Sequence, residues 1–487
     1  MSKELFNLKP EALWRNFAAL NAVPRPSKKE ERVIAFMQDF GKKLGLETIT
    51  DEVGNVLIKK PASQGMEDRK KIVLQSHLDM VHQKNNATVF DFDKEGIKMF
   101  VDGDWVKADG TTLGADNGIG AATMMALLES KEIAHPAIEA LFTIDEETGM
   151  TGAFGLKPGF LEGEILLNLD TEDDDELTIG CAGGVNVTIT AKYDLIDLPA
   201  NFVAYKLTLK GLSGGHSGMD INKGLGNANK LANRLIYLVS EKMDVGIQSF
   251  HGGSLRNAIP REAELNLAIP RESKDLFQKI INQAKEEIIA EHVDSDPNLA
   301  LIVEPTSSAK KMTNPAFTRS LSQALYALPN GIYRMSPSIP DMVQTSNNLA
   351  QIEMEEGTLR CLCLCRSSVD SEKEDEVRAI ISAFAGIACE IETDGDYPGW
   401  TPRTQSDIVE LMSALYREKF ESEPRVMACH AGLECGILGS NYPKMDIVSF
   451  GPTIRGAHSP DEKVQISSVQ KYWGFLLETL KRIPKRT

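Results

Sequence analysis

The chain is short of positive charge. Its 53 lysines and arginines face 70 aspartates and glutamates, for a formal net charge of −17. Such acidity speaks against a nucleic-acid or anionic-membrane partner, since both require a basic face. A local basic pocket for a substrate carboxylate stays compatible with it. Long apolar runs are lacking too: nothing approaches the ~20 residues of a membrane span. Met1 to Arg15 mixes charged and apolar residues without a continuous apolar stretch, so no signal peptide is expected there. The seven cysteines form no CxxC pair, which fits a reduced, cytoplasmic compartment. Cys361, Cys363 and Cys365 alternate with leucines. On a strand these thiols share one face, and small buried side chains are a better reading of them than a zinc site. There is no P-loop and no GxGxxG fingerprint, and a GxSxG nucleophile elbow fails at Met219. The acidic run Thr171 to Glu176 lacks the spacing of a calcium hand and reads as a solvated loop. No short-period repeat is present.

What is there begins with size. At 487 residues the chain exceeds one ordinary core and calls for roughly two to four structural units. Helical spacing of Val33, Ile34, Met37, Phe40 and Leu44 predicts a helix behind a capping box at Ser27–Glu30, ending at Gly45. Strands are expected at Val56–Ile58, Ile72–Gln75, Ala137–Ile144 and Ile165–Leu169, with a helix at Ala121–Leu128. This alternation predicts an α/β fold, a sheet flanked by helices. Beyond Asp170 the texture changes. Val185–Thr190 and Tyr205–Leu209 alternate as half-buried antiparallel strands do, and amphipathic helices are expected at Asn227–Val239 and Leu276–Ile289. Asp407–Phe420 is again helical, and Ile447–Phe450 is a strand leading to His458. The expected organisation is a first domain over 1–183, an insertion over 184–397, and a return to the first domain over 398–487.

The chemistry gathers around five short motifs. Glu146 and Glu147 follow the apolar run Ala140 to Ile144. The others are Ser76-His77-Leu78-Asp79, Gly114-Ala115-Asp116-Asn117-Gly118, Asn168-Leu169-Asp170 and Ala457-His458-Ser459-Pro460. Together they offer two histidines, two aspartates and a glutamate as ligands for two divalent ions, with carboxylates left over for acid-base work. His77, Glu146 and Asp170 each follow an apolar run, where an open α/β sheet binds ligands. Asp79, two residues after His77, is placed to support it from behind. Asp116 suits either a helix N-cap or a carboxylate shared by two cations. Of Glu146 and Glu147, one can ligate while the other accepts a proton from water; the pair also suits an exposed acidic turn. His216, in Gly214-Gly215-His216-Ser217-Gly218, suits a glycine-rich turn or a donor to an oxyanion. His82, His135, His251 and His292 lack such context and read as structural or surface residues.

Taken in order, SHLDM, GADNGIG, DEETGMTGA, NLD, GGHSG and AHSPDE resemble a known family over nearly the whole chain. It is the family of two-metal peptidases that includes carnosine-type dipeptidases, aminoacylases and glutamate carboxypeptidases. The resemblance implies a zinc-peptidase-like mixed sheet with an inserted α+β lid domain. It implies two zinc ions per chain, with cobalt or manganese as substitutes. His77 and Asp170 would bind one, His458 and Glu147 the other, and Asp116 would bridge. Glu146 would be the general base and Asp79 the support of His77. His216, Asn257, Arg366 and Gly432 would contact substrate, Arg366 by bidentate capture of a C-terminal carboxylate. Many relatives carry Gly-Thr-Asp where this chain has His430-Ala431-Gly432-Leu433-Glu434, a form similar to the histidine-dipeptidase branch. The implied activity is hydrolysis of dipeptides, notably Xaa-His including β-alanyl-histidine, by a cytoplasmic homodimer joined through the lid. An N-acyl amino acid amidohydrolase of the same fold and a non-catalytic binding protein are the alternative readings.

Overall fold

The computed structural model describes residues 3–307, 310–403 and 405–486. They fall into two compact units. The first combines Met1–Gly180, Pro402–Ala428 and Leu433–Thr487; the second combines Cys181–Thr401 and Cys429–Gly432.

The first unit is built on an eight-stranded mixed sheet. Its strands are β1 (Glu47–Thr50), β2 (Val56–Lys60), β3 (Ile72–His77), β4 (Ile138–Thr143), β5 (Ile165–Asn168), β6 (Glu176–Cys181), β7 (Arg425–Cys429) and β8 (Asp446–Ser449). They lie side by side in the order β1-β2-β4-β3-β5-β8-β6-β7. β3 runs parallel to β4 and β5, and β8 parallel to β5. β3, β4 and β5 are buried along their whole length, as central strands covered on both faces should be. β1 and β2 extend the sheet antiparallel. The α/β class with a mixed sheet is therefore as expected.

Helices α1 (Glu11–Asn21), α2 (Glu31–Lys43), α3 (Ala115–Glu129), α4 (Asp407–Phe420), α5 (Glu434–Asn441) and α6 (Ile466–Arg482) are among the helices of this unit. α3 is rich in alanine and glycine and almost wholly buried. Its Ile119, Ala122 and Ala126 join Leu13, Trp14 and Phe17 of α1 in one core. α3 begins at Ala115, earlier than the expected Ala121, but it is kinked in its first turn, where Asp116 and Asn117 sit in non-helical conformations; the Asp116–Asn117 peptide bond is cis. The capping box at Ser27–Glu30 does not form. α2 has Glu30 at its N-cap without a side-chain capping bond, its carboxylate accepting Lys28 N–H at 2.9 Å, and Ser27 Oγ instead donates to Asp79 Oδ2 at 2.8 Å. A tertiary partner has taken the hydroxyl that local pattern assigned to the helix.

The second unit carries a nine-stranded sheet. Its strands pair antiparallel, among them Gly183–Lys192 and Phe202–Lys210 where alternation predicted them. Helices Ala228–Ser240, Lys274–Glu291, Pro315–Ala327 and Asp370–Ala383 accompany the sheet. The core includes Leu235, Phe250, Phe277 and Leu349, with Cys361, Cys363 and Cys365 fully buried in it. No grouping of potential metal ligands among the described residues includes these thiols. Among the described residues no helix is long and apolar enough to cross a membrane.

Candidate metal centre

In the first unit the ligand candidates converge at the carboxyl ends of the central strands. His77 ends β3, and Asp170 follows β5 by two residues. His77 Nε2 lies 3.2 Å from Asp116 Oδ1 and 3.7 Å from Asp170 Oδ1. His458 Nε2 lies 3.2 Å from Asp116 Oδ2 and 2.9 Å from Glu147 Oε2. Asp116 thus offers one oxygen to each histidine. Two ligand groups result, His77–Asp116–Asp170 and Asp116–Glu147–His458, sharing that one carboxylate. Glu146 falls in a third grouping with His77 and Glu147.

Surrounding bonds hold these side chains in place. Asp79 is fully buried. Its Oδ1 lies 3.3 Å from His77 Nδ1, and its carboxylate accepts the backbone N–H groups of Glu146 (3.0 Å) and Glu147 (3.3 Å). One aspartate thereby orients a histidine and both glutamates. Asn117 Nδ2 donates to Leu169 O at 2.8 Å and to the Asp170 carboxylate. Asp145, just before the glutamates, and His458 both have left-handed backbones, with φ of 56° and 63°. Such conformations persist where surrounding structure imposes them and cluster at functional sites.

The electrostatics favour cations. Burial opposes the charged form of His77, but Asp170, Asp116 and Asp79 outweigh it and raise its pKa well above the ordinary value. Hydrogen bonds to Asp116 and Glu147 push His458 up to about 11. Burial, with Asp116, Glu434 and Glu147 adding to it, pushes Asp170 up to about 8. Glu146 is raised well above the ordinary carboxylate range by burial, then by Asp170, Glu147 and Glu434. Carboxylates crowded this closely hold protons unless cations offset them. Glu147 Oε1 is buried with no hydrogen-bond partner, an orphaned acceptor of the kind a metal ion satisfies. Imidazole and carboxylate donors in two groups sharing one carboxylate fit a pair of divalent ions.

The remaining candidates lie in the second unit. His216 is in a two-residue strand paired with Ala258–Ile259. Its Nδ1 accepts the N–H groups of Gly218 (3.2 Å) and Met219 (3.0 Å), which leaves the ring proton on Nε2. Burial and then Arg366 push its pKa down to about 4, so the ring is a neutral donor. Arg366 is 5% exposed. It donates to Tyr397 Oη at 3.0 Å, and its Nη2 lies 3.5 Å from His216 Nε2. Two donors therefore stand side by side without a shared acceptor. Asn257 is exposed, and its carbonyl accepts Ser217 N–H at 2.8 Å beside His216. Gly432 ends the short segment Cys429–Gly432, which is bonded through the Cys429 and Ala431 carbonyls to Ala182 N–H.

Residues the motifs did not single out also take part. Ser27 holds Asp79, and Tyr397 and Ser217 hold Arg366. His430 is 2.7 Å from Ser346 Oγ through Nε2. Glu434 Oε2 accepts from Gln75 and Thr143, each at 2.6 Å. Ser27 stood in the expected capping box and Ser217 in the His216 motif, but neither pattern pointed to these partners; His430 and Glu434 were marked only by the odd form of their stretch.

Comparison with known proteins agrees with this architecture. The model of peptidase family M20/M25/M40 matches residues 73–482. The cytosol non-specific dipeptidase of Escherichia coli (strain K12) is 44% identical over 483 residues, 99% of this chain and 100% of that protein. The crystal structure of aminoacylhistidine dipeptidase from Vibrio alginolyticus superposes with a TM-score of 0.93 at 44% identity, covering 100% of this chain and 99% of that one. An aminopeptidase structure from Bacillus cereus, at 17% identity and a TM-score of 0.57 over 98% of this chain and 99% of that one, shares the fold. The resemblance drawn from the six motifs is met, and the chain belongs to peptidase family M20/M25/M40.

Proposed function

We propose that this chain is a metal-dependent dipeptidase acting on Xaa-His and related dipeptides. The observation that carries the reading is Asp116, whose two oxygens each lie 3.2 Å from a different histidine. His77 and Asp170 would hold one divalent ion, His458 and Glu147 a second, with Asp116 between them; the donor set suits zinc, with cobalt or manganese as substitutes. When bound, such a pair supplies Lewis acidity toward a carbonyl oxygen and a lowered pKa for water. Glu146 takes the proton of the attacking water and returns it to the leaving amine nitrogen. Asp79 keeps His77 and the two glutamates aligned through the bonds it already makes. The second unit is read as a lid: His216 Nε2–H donates to the developing oxyanion, Arg366 pairs with the substrate carboxylate, and Asn257 and Gly432 contact the substrate backbone. The relatives at 44% identity carry dipeptidase names, which supports dipeptides as the substrate class.

We also read the protein as a homodimer joined through the second unit. Among the described residues, strand Gly331–Met335 has Val343–Glu355 as its sole strand partner, and it leaves Ile332, Tyr333 and Met335 exposed. Light scattering after size exclusion checks this, and a monomer at working concentration would overturn it.

The test of function is elemental analysis paired with hydrolysis of Gly-His and β-Ala-His before and after chelation. About two metals per chain, with activity lost to chelator and restored by zinc, is the expected outcome. Metal without dipeptide turnover, but with cleavage of N-acetyl amino acids, would transfer the assignment to an amidohydrolase.

A further inference from the structure

Two buried charges of the first unit have no part in the reaction as described. Arg25 is 1% exposed and Glu462 2% exposed, and both close on the turn that carries Asp116. Glu462 accepts four successive backbone N–H groups. Oε2 takes those of Leu113 (2.7 Å) and Gly114 (2.9 Å), and Oε1 those of Ala115 (2.7 Å) and Asp116 (3.2 Å). These are donors at the start of α3 that no helical carbonyl can reach, and a carboxylate there also meets the positive end of the helix. Glu462 follows His458 by four residues, so one side chain ties the His458 loop to the Asp116 turn.

Arg25 grips the same turn from its other side. Nη2 donates to Gly114 O (2.6 Å) and Asn21 Oδ1 (2.8 Å), and Nη1 to Leu78 O (2.9 Å) and Asp79 O (3.0 Å). Leu78 and Asp79 directly follow His77. A Cβ on Gly114 would stand 2.5 Å from Arg25 Nη2, and one on Gly118 2.6 Å. Two glycines of GADNGIG thereby make room for the guanidinium. Among the described residues Arg25 forms no ion pair; the acidic groups acting on it most are Glu462, Asp79, Asp116 and Glu147. A buried cation without a direct partner is costly unless the surrounding field compensates it, and here that field comes first from Glu462 and then from Asp79, Asp116 and Glu147 at the metal centre.

We propose that Arg25 and Glu462 are positioning residues that clamp the Asp116 turn from both sides and set His77, Asp116 and His458 in a metal-ready arrangement. The inference rests on reading those three side chains as metal ligands. Arg25 reaches four acceptors on three segments with one planar fork, which the single ammonium of a lysine does not reproduce. Glu462→Gln turns one acceptor oxygen into an NH2 group facing N–H donors, and so releases half of the turn.

Three readouts on the full chain test this: metal affinity by chelator competition, the visible absorption of the cobalt-loaded protein, and melting of the metal-free protein. The unaltered chain is measured first; if it takes up no metal, the ligand reading fails and the clamp with it. With metal bound there, Arg25→Met and Glu462→Gln should weaken affinity by roughly 10-fold or more and alter the cobalt spectrum, with Arg25→Lys in between. Unchanged affinity and spectrum, with only the metal-free melting point lowered, would overturn the clamp while leaving the ligand reading intact. Should Arg25→Met or Glu462→Gln not fold, Arg25→Lys, which keeps the buried charge, decides on the same two metal readouts.

Discussion

In the proposed reaction Glu146 handles a proton and Arg366 a charge. Glu146 is placed by a backbone bond to Asp79 and sits within reach of His77 and Glu147. As the general base, it should cost about 10²–10⁴ in kcat when changed to alanine, while the metal content stays at the unaltered level. Turnover near that of the unaltered chain in metal-loaded Glu146→Ala would remove it from the mechanism. Arg366 is held by Tyr397 and stands beside His216. Arg366→Lys keeps the charge but loses the fork, so KM for Gly-His should rise by roughly tenfold, with kcat falling less. Steady-state kinetics check this, and an unchanged KM would free Arg366 from carboxylate capture. His77 and Asp170 were legible because each follows an apolar run that ends at one edge of the sheet, whereas Asp116 and His458 were legible only through the resemblance of their motifs. Arg25 was not: in Val23-Pro24-Arg25-Pro26 nothing distinguishes it from a surface arginine, and its carbonyl partners at Leu78, Asp79 and Gly114 are visible only once the chain has folded.

Helix Asp370–Ala383 shows where reading by pattern stops. Its sequence, DSEKEDEVRAIISA, resembles a solvated charged helix, yet Lys373, Glu376 and Ile380 form its buried face. Both Glu376 oxygens are buried without a hydrogen-bond partner, and burial pushes its pKa from 4.5 up to about 9. The sign of the consequence follows by linkage. An unfolded glutamate ionises near 4.5, whereas the folded one keeps its proton to about 9. The stability tied to that proton is complete below the lower value. It is lost as pH rises, at up to ~1.4 kcal/mol per pH unit until the upper value is reached. Glu376→Gln removes the dependence, so its melting temperature should exceed that of the unaltered chain at pH 8 and approach it near pH 5. Parallel melting curves across that range would contradict a buried neutral carboxyl. Strands β2, β3, β4, β5 and β8 of the first sheet were legible for the opposite reason, whereas β1, β6 and β7 were not foreseen. β3, β4 and β5 each carry an apolar run and are buried on both faces, and that run is the signal read. At Ser27 a tertiary acceptor, Asp79, won the hydroxyl from the local cap, and at Asp116 the first turn of α3 gave up helical geometry to present a carboxylate.

At the scale of the whole chain, the proposed ligands belong to one unit although sequence separates them widely. His77, Asp116, Glu147 and Asp170 come from Met1–Gly180, and His458 from Leu433–Thr487. The segment Cys429–Gly432, which joins the second unit from far along the chain, could not be read from composition, because four residues carry no periodicity. Metal held by these five side chains would cross-link the first unit from within. In a chain of net charge −17, the convergent carboxylates of the centre also repel one another when no cation is present. A ligand that binds only the folded form stabilises it by RT ln(1 + [L]/Kd), about 2.7 kcal/mol when free metal stands at 100 times Kd. Calorimetry should accordingly show a transition that rises with zinc and falls with chelator, and the ligands lie in the unit whose transition should move. Asp116→Asn removes charge from the position common to both ligand groups, so most of the zinc-dependent rise should vanish while the chelated melting point stays level or climbs as repulsion is relieved. A melting profile indifferent to verified metal removal would mean that these side chains do not hold metal in the folded protein. A zinc-dependent rise that survives Asp116→Asn intact would instead place the ions elsewhere.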